Sequence, residues 1–384
     1  MSSNVRYNFK EAQLGPDFAQ DALKDFKQLI DSGVSFVTHS MPGVGASYFL
    51  KYLANQNFAF FIYIDLYELP SLTQHEFYRM FLSDLGGKPA SKTDEQVFLE
   101  AKEIIKKLTQ EHEKIVIIFS RFDQLKKEFD ENFLSNLQAL TTISPGKIVL
   151  IFTAIKPLYE LAPEAVTGGN LNFYSRSLYF KPYSKKDLRK LLKIDPEQRT
   201  SEENFERLLE LSGGHNQLLH IFLNSQKQQN LLLDQFVRLQ LKELVDYLDY
   251  QQRKQIQKMA SNASHPAPSG AGSMDEYLLG VGMVKKFDHG FKLFSPLFEE
   301  YIKSYLAPRL PQKEYKLFKI LKQNLGKVVS KDDLFQTLWE DDPEKGTDWA
   351  LDALIYRLRK HPFMKSQGYI IESYKKVGYS LIQT

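Results

Sequence analysis

The sequence predicts an α/β protein, built on a parallel sheet with helices on both faces and continued by helical segments that close in β-hairpins. Three observations carry this. Three short runs, at 58–66, 114–120 and 147–153, have the length and near-continuous apolarity of buried strands, and two more, at 35–40 and 177–180, read as strands beside them. Segments with helical periodicity separate them, as parallel pairing requires. Beyond residue 270, helices are twice followed by a pair of short strands.

Composition sets outer limits. At 384 residues, two or three domains are expected. The apolar share of 43% and charged share of 25% are ordinary for a soluble globular chain. A net charge of +3 means that affinity for nucleic acid must come from a local patch. The absence of cysteine excludes disulfides, thiolate chemistry and cysteine-based metal sites. The eight histidines show neither H-x-x-x-H nor H-E-x-x-H spacing, so no metal site is expected. The first residues are polar, unlike a signal peptide, and no apolar run is long enough to span a bilayer. A cytoplasmic protein with no membrane partner is expected.

A helix at 18–31 leads into the first strand, and residues 41–46 connect that strand to a helix starting at Ser47. This is the strand–loop–helix frame that cradles phosphates, whose full pattern is G-x-x-x-x-G-K-[S/T]. Gly45 holds the second glycine position and Ser47 the Ser/Thr position, but Ser40 replaces the first glycine and Ala46 the lysine. Backbone N–H groups and a helix N-terminus hold an anion without the lysine. Stabilising charge during phosphoryl transfer needs it. The same residues also read as a Gly/Pro turn with no ligand, and the loop alone leaves both readings open.

The strand at 115–119 is followed by Ser120 and Arg121, where a nucleotide-hydrolysing site places its acids, and the nearest acid, Asp123, falls in the next loop. With three groups missing, no catalytic residue is assigned and efficient hydrolysis is not expected. A helix at 95–113 precedes this strand, and a helical region runs from 185 to about 260, broken by Gly213 and Gly214. Residues 261–273, SNASHPAPSGAGS, have the composition of a mobile linker. A helix and a hairpin follow, with strands at 283–287 and 291–294 and a turn at 288–290, then a further helix: the plan of a winged helix.

In order and spacing, SMPGVGAS, KIVIIFSRFD, KIVLIFTAI, LSGGHNQLL and YLLGVGMVKKFDHGFKLFSPL make residues 15–305 resemble the AAA+/STAND class of P-loop ATPases. The resemblance implies a P-loop AAA+-like sheet with a helical lid, and a nucleotide site at Gly43, Gly45, Ala46 and Ser47. It also implies that His215 faces the nucleotide, with ATP or ADP bound without efficient hydrolysis. The bland reading of Gly213 and Gly214, a break between two helices, stays open beside this one.

Two prolines near 307–311 mark a boundary. Beyond it, apolar positions Tyr315, Leu317, Phe318, Ile320 and Leu321 give an amphipathic helix. Ser330 caps a second helix with acids in its first turn. Residues 347–360 form a third, with Ala350, Leu351, Leu354, Ile355 and Leu358 inward, and a hairpin follows at 369–373 and 377–382. GKVVSKDDLFQTLW, ALDALIYRLRK and KKVGYSL make this segment resemble the winged-helix effector domain of OmpR/PhoB-type response regulators. The resemblance implies double-stranded DNA as partner, with Thr347, Tyr356, Arg357 and Lys360 on a recognition helix and Lys375, Lys376 and Tyr379 on the wing. From residue 355 onward, basic residues exceed acids by five, a plausible phosphate footprint. Leu354 departs from the family in being apolar where many relatives place a base reader.

The expected organisation is an α/β domain at 1–184, a lid at 185–240, a winged-helix-like domain at 241–307 and a DNA-binding winged helix at 308–384. Together these read as a DNA-binding, transcription-type regulator with a degenerate ATPase module acting as scaffold or ligand-responsive switch. Two alternatives stay open. One is an ATPase completed by Arg121, Asp123 or a neighbouring chain. The other is an assembly or defence scaffold, homo-oligomeric or bound to another protein, whose winged helices contact protein.

Overall fold

The computed structural model describes residues 7–90, 92–195, 200–225, 230–261, 274–287, 290–305, 310–340, 343–361, 363–364, 368–375 and 377–383. The expected linker beyond residue 261, the hairpin turn at 288–289, most of the boundary near 307–311, residues 341–342 and Lys376 lie outside them. The chain divides into two compact units, residues 1–255 with 266–298 and residues 256–265 with 299–384.

In the first unit the five runs form β1 (Phe36–Ser40), β2 (Phe60–Asp65), β3 (Ile115–Ser120), β4 (Ile148–Ala154) and β5 (Ser177–Phe180). All pair in parallel, in the order β2-β3-β4-β1-β5. Every residue of β3 is buried, as expected of a strand covered on both faces. Helix α1 (Gln20–Asp31) precedes β1, and α2 (Ala46–Ala54), α3 (Gln74–Asp84), α4 (Asp94–Glu111), α5 (Glu131–Ala139), α6 (Leu158–Leu161) and α7 (Gly168–Tyr174) supply the crossovers. A capping box between Thr93 and Gln96 starts α4, which satisfies orphan N–H groups at both positions. One face of the sheet is sealed by rings: Phe152 lies 5.2 Å from Phe119 and 4.7 Å from Phe122.

The strand order positions the loop. From β1 the chain runs to the β2 edge, returns through β3 and β4, then crosses to β5 on the other side of β1. In open parallel sheets, crevices at such reversals lie beyond the carboxyl ends of the strands and hold ligands. Helices α8 (Lys185–Lys193), α9 (Glu202–Ser212), α10 (Asn216–Asn224) and α11 (Gln235–Asp246) follow. Gly213 ends α9 at φ 61°, and His215 caps α10 through its side chain. Helices α12 (Tyr250–Ser261) and α13 (Glu276–Gly280) precede the hairpin of β6 (Val284–Phe287) and β7 (Gly290–Leu293), and α14 (Pro296–Tyr305) closes the pattern.

The second unit contains α15 (Gln312–Gln323), β8 (Val329–Ser330), α16 (Lys331–Leu338), α17 (Asp348–Lys360), β9 (Tyr369–Tyr374) and β10 (Gly378–Gln383). Its antiparallel sheet has the order β8-β10-β9. Leu317, Leu321, Leu334, Leu351, Leu358 and Leu381 are fully buried and join the three helices to the hairpin, a winged helix. Leu354 is 1% exposed, so its apolar character belongs to this core and not to a lost base contact. Among the described residues no helix is long and apolar enough to cross a membrane.

Candidate ligand cavity and nucleic-acid interface

The loop after β1 is held by its carbonyls. His215 Nε2 donates to Pro42 O at 2.8 Å, the Gln217 N–H to Gly43 O at 3.0 Å and the Tyr183 hydroxyl to Gly45 O at 2.8 Å. A trans peptide points its N–H opposite its C=O, so the N–H groups of Gly43, Val44 and Ala46 turn away from these donors. That of Val44 closes a turn on Met41 O at 3.2 Å. Both loop glycines are required by space and backbone: φ is 73° at Gly43 and 100° at Gly45. A Cβ at Gly43 would stand 2.3 Å from Gln217 Oε1, and one at Gly45 2.9 Å from Tyr183 Cε2 and 3.0 Å from Asn216 Cβ.

A cavity of about 600 Å³ lies over this loop, walled by residues 40–48 together with Arg121, Asp123, Thr153, Asn216 and His220. Gly43, Gly45, Ala46 and Ser47 are therefore all in its wall. His215 is not: its fully buried ring braces Pro42, and its Nδ1 accepts the Leu218 N–H. The expectation that His215 faces a ligand gives way to a supporting role in which Nε2 carries the proton. Burial lowers its pKa to about 4. Its neighbour Asn216 does reach the cavity. Its Oδ1 is buried without a hydrogen-bond partner, in a residue 3% exposed. The glycine loop and this orphaned amide fit a small ligand with an anionic group and a hydrogen-bond donor, such as a nucleotide. They supply no cation at Ala46.

The opposite wall is built around Arg121. Arg121 sits at φ 60°, a left-handed conformation uncommon outside glycine, and its N–H donates to Thr153 Oγ1 at 2.6 Å. Its guanidinium lies 3.4 Å from the Asp65 carboxylate and 4.7 Å from the Tyr67 ring centre. Asp65 ends β2 directly beside Ser120. Asp123 Oδ2 accepts the Ile155 N–H at 3.1 Å, and burial raises its pKa. Among the described residues no group of three or more His, Asp or Glu is placed to hold a metal ion.

In the winged helix, the Thr347 hydroxyl caps α17 by accepting the Ala350 N–H at 3.2 Å. Leu351, Leu354, Ile355 and Leu358 face the core. Trp349, Ala353, Tyr356 and Lys360, spaced four, three and four residues apart, run along the diametrically opposite line. Trp349 is 81% exposed and Tyr356 63%. The arginines flank this line and are engaged. Arg357 Nε donates to Glu314 Oε1 at 2.8 Å, and Arg359 donates to Ile371 O at 2.9 Å and to Ser373 Oγ at 2.6 Å.

The remaining expected residues fall in two groups. Lys360 and Lys375 are exposed. Tyr379 is 7% exposed and its hydroxyl donates to Asp352, with a pKa raised to about 12 by burial and then by that carboxylate. Buried and bonded to α17, Tyr379 positions the wing and does not present it. Trp349 is absent from the expected set, although the periodicity that buries Leu351 and Leu358 also places it outermost.

Residues 307–381 match the family model described as "Transcriptional regulatory protein, C terminal", and this segment is an OmpR/PhoB-type winged helix. No curated protein matches the chain. Among solved structures, a Walker-type ATPase of Pyrococcus abyssi is similar with a TM-score of 0.48 and 15% identity, over 74% of this chain and 95% of that one. The Aeropyrum pernix ORC1 protein, solved in complex with DNA, gives 0.41 and 11% over 100% of this chain and 94% of its own. The Thermotoga maritima RuvB Holliday junction branch migration motor gives 0.34 and 15% over 79% of this chain and 100% of its own.

Proposed function

We propose that the chain is a DNA-binding regulator of transcription, whose α/β unit is a catalytically degenerate scaffold or ligand-responsive switch. The observation that carries this is the family match over residues 307–381, on a segment whose α17 is capped by Thr347 and exposes one full face. Its α17 docks in the major groove, with Lys360 and Lys375 on phosphates. The α/β unit binds ATP or ADP through the N–H groups around Gly43, Gly45, Ala46 and Ser47 and does not turn it over efficiently. Ala46, Ser120 and Arg121 support that reading, because Ala46 brings no cation to the phosphates and neither Ser120 nor Arg121 is a carboxylate that could hold Mg²⁺ or activate water.

Two measurements on the full chain test it. Steady-state phosphate release with Mg²⁺ is expected at background, while calorimetry with ADP detects binding. Release at enzymatic rates would overturn the degenerate assignment. Binding to a randomised duplex pool is expected to enrich a motif, and no affinity for any duplex would overturn the regulatory one. A second reading, in which the winged helix contacts protein, is favoured by Trp349 and Tyr356 on the outward face of α17. Concentration-dependent self-association without DNA affinity would select it.

A further inference from the structure

We infer that α17 reads thymine methyl groups by apolar contact, with Trp349 and Tyr356 as its specificity-determining side chains. The inference rests on the DNA-binding role proposed for the winged helix and concerns how bases are told apart. Base pairs are distinguished in the major groove by bidentate hydrogen bonds from Arg, Lys, Asn, Gln or acids, or by apolar contact with the thymine C5-methyl group. The sequence of α17, DWALDALIYRLRK, contains no Asn, Gln or Glu. Its two aspartates are paired, Asp348 with Lys331 and Asp352 with Tyr379. Arg357 and Arg359 each have Nε committed, to Glu314 and to the Ile371 carbonyl, and they stand beside the outward line, not on it.

What remains at the centre of that face is Trp349, Ala353, Tyr356 and Lys360. The first turn of a recognition helix is the part that meets base edges, and Trp349 is there at 81% exposure. Ala353 is small, so the backbone between the two rings approaches the groove closely. Lys360, in the last turn, is left for a phosphate. The only apolar group that the major groove offers such a face is the thymine methyl. Burial of one methyl-sized group is worth roughly a fourfold change in affinity.

The test uses the full chain and a duplex enriched from a randomised pool. Affinity is measured for that duplex and for versions with uracil replacing thymine one position at a time. At one to three positions, uracil is expected to weaken wild-type binding roughly fourfold each. Trp349→Ala is expected to bind the thymine duplex more weakly and no longer to distinguish thymine from uracil at the position it covers. Trp349→Phe, which keeps a ring, retains part of the discrimination. Because Trp349 is exposed, both variants should melt with the wild type. Equal wild-type affinity for thymine and uracil duplexes at every position would overturn the inference. So would discrimination that survives in Trp349→Ala and Tyr356→Ala alike. Salt-dependent binding with no enriched duplex would overturn it while leaving the DNA-binding role standing, and no binding to any DNA would overturn both.

Discussion

The loop after β1 and the outward face of α17 are built by opposite means. The loop is shaped by backbone: its carbonyls are gripped by His215, Gln217 and Tyr183 from elsewhere in the first unit, and its glycines leave no room for side chains. The helix face is shaped by side chains. Pairs at its flanks, Arg357 with Glu314 and Tyr379 with Asp352, fix its neighbours and leave the central line open. A backbone-built site keeps its shape with no charged side chain in it, as at Ala46. A side-chain-built site changes its meaning with each substitution.

The largest effect that would break this comparison lies in the grip on the loop. A Cβ on Gly213 would stand 2.0 Å from the Phe294 carbonyl oxygen, at φ 61°. Gly213→Ala should therefore destabilise the first unit by about 3 kcal/mol or more, seen as a lower denaturant midpoint. Gly326→Ala in the second unit, with a similar φ of 77° and open space, should cost only about 1 kcal/mol. Equal costs would mean that the close approach of Gly213 to Phe294 does not constrain the first unit.

Acid tests the same grip. His215 and His39 are buried with pKa values lowered from 6.5 to about 4, in each case chiefly by desolvation. Between those values the unfolded chain takes up a proton that the folded chain refuses. Their contribution is thus present above pH 6.5 and lost as pH falls toward 4, by about 3 kcal/mol for each histidine. Unfolding free energy of the first unit should drop steeply from pH 7 to pH 5, and His215→Gln should remove about half of that dependence. A flat profile would contradict the buried neutral ring.

Ala46→Lys sharpens the contrast from the other side. Position 46 lies in the cavity wall and is partly exposed. If the backbone frame is intact, the new charge should tighten ADP binding about tenfold with little change in melting, as calorimetry would read. No gain would indicate that the frame is not an anion site. The smallest effect expected is at Glu314→Gln: Glu314 is buried, but its Arg357 partner is 57% exposed and glutamine keeps an oxygen to accept from it, so stability should change by about 1 kcal/mol. A larger loss by chemical denaturation would mean that the pair behaves as a buried one.

Much of the fold was legible. Strands β2, β3 and β4 were readable because burial writes itself as continuous apolar runs, and Ser330 announced a helix start that its side chain does cap. Helix α3 was not read from the sequence: Phe77, Tyr78 and Phe81 are as suited to a strand, and tertiary ring packing decides the matter. At the sites, local sequence marked the loop glycines but not their donors. Pro42 and His215 are 173 residues apart, and Arg357 and Glu314 are 43 apart. Such contacts reassign a residue from ligand-facing to bracing, and no local pattern carries them. Trp349 is the converse case, readable from the helical period alone.

The most direct test of the account is the affinity of the full chain for its enriched duplex across a salt series, with Lys360→Ala and Lys375→Ala beside the wild type. The account predicts a linear fall of log affinity with log salt, and a slope reduced by about one for each lysine removed. A salt slope that neither substitution changes, or no duplex bound at any salt, would contradict it.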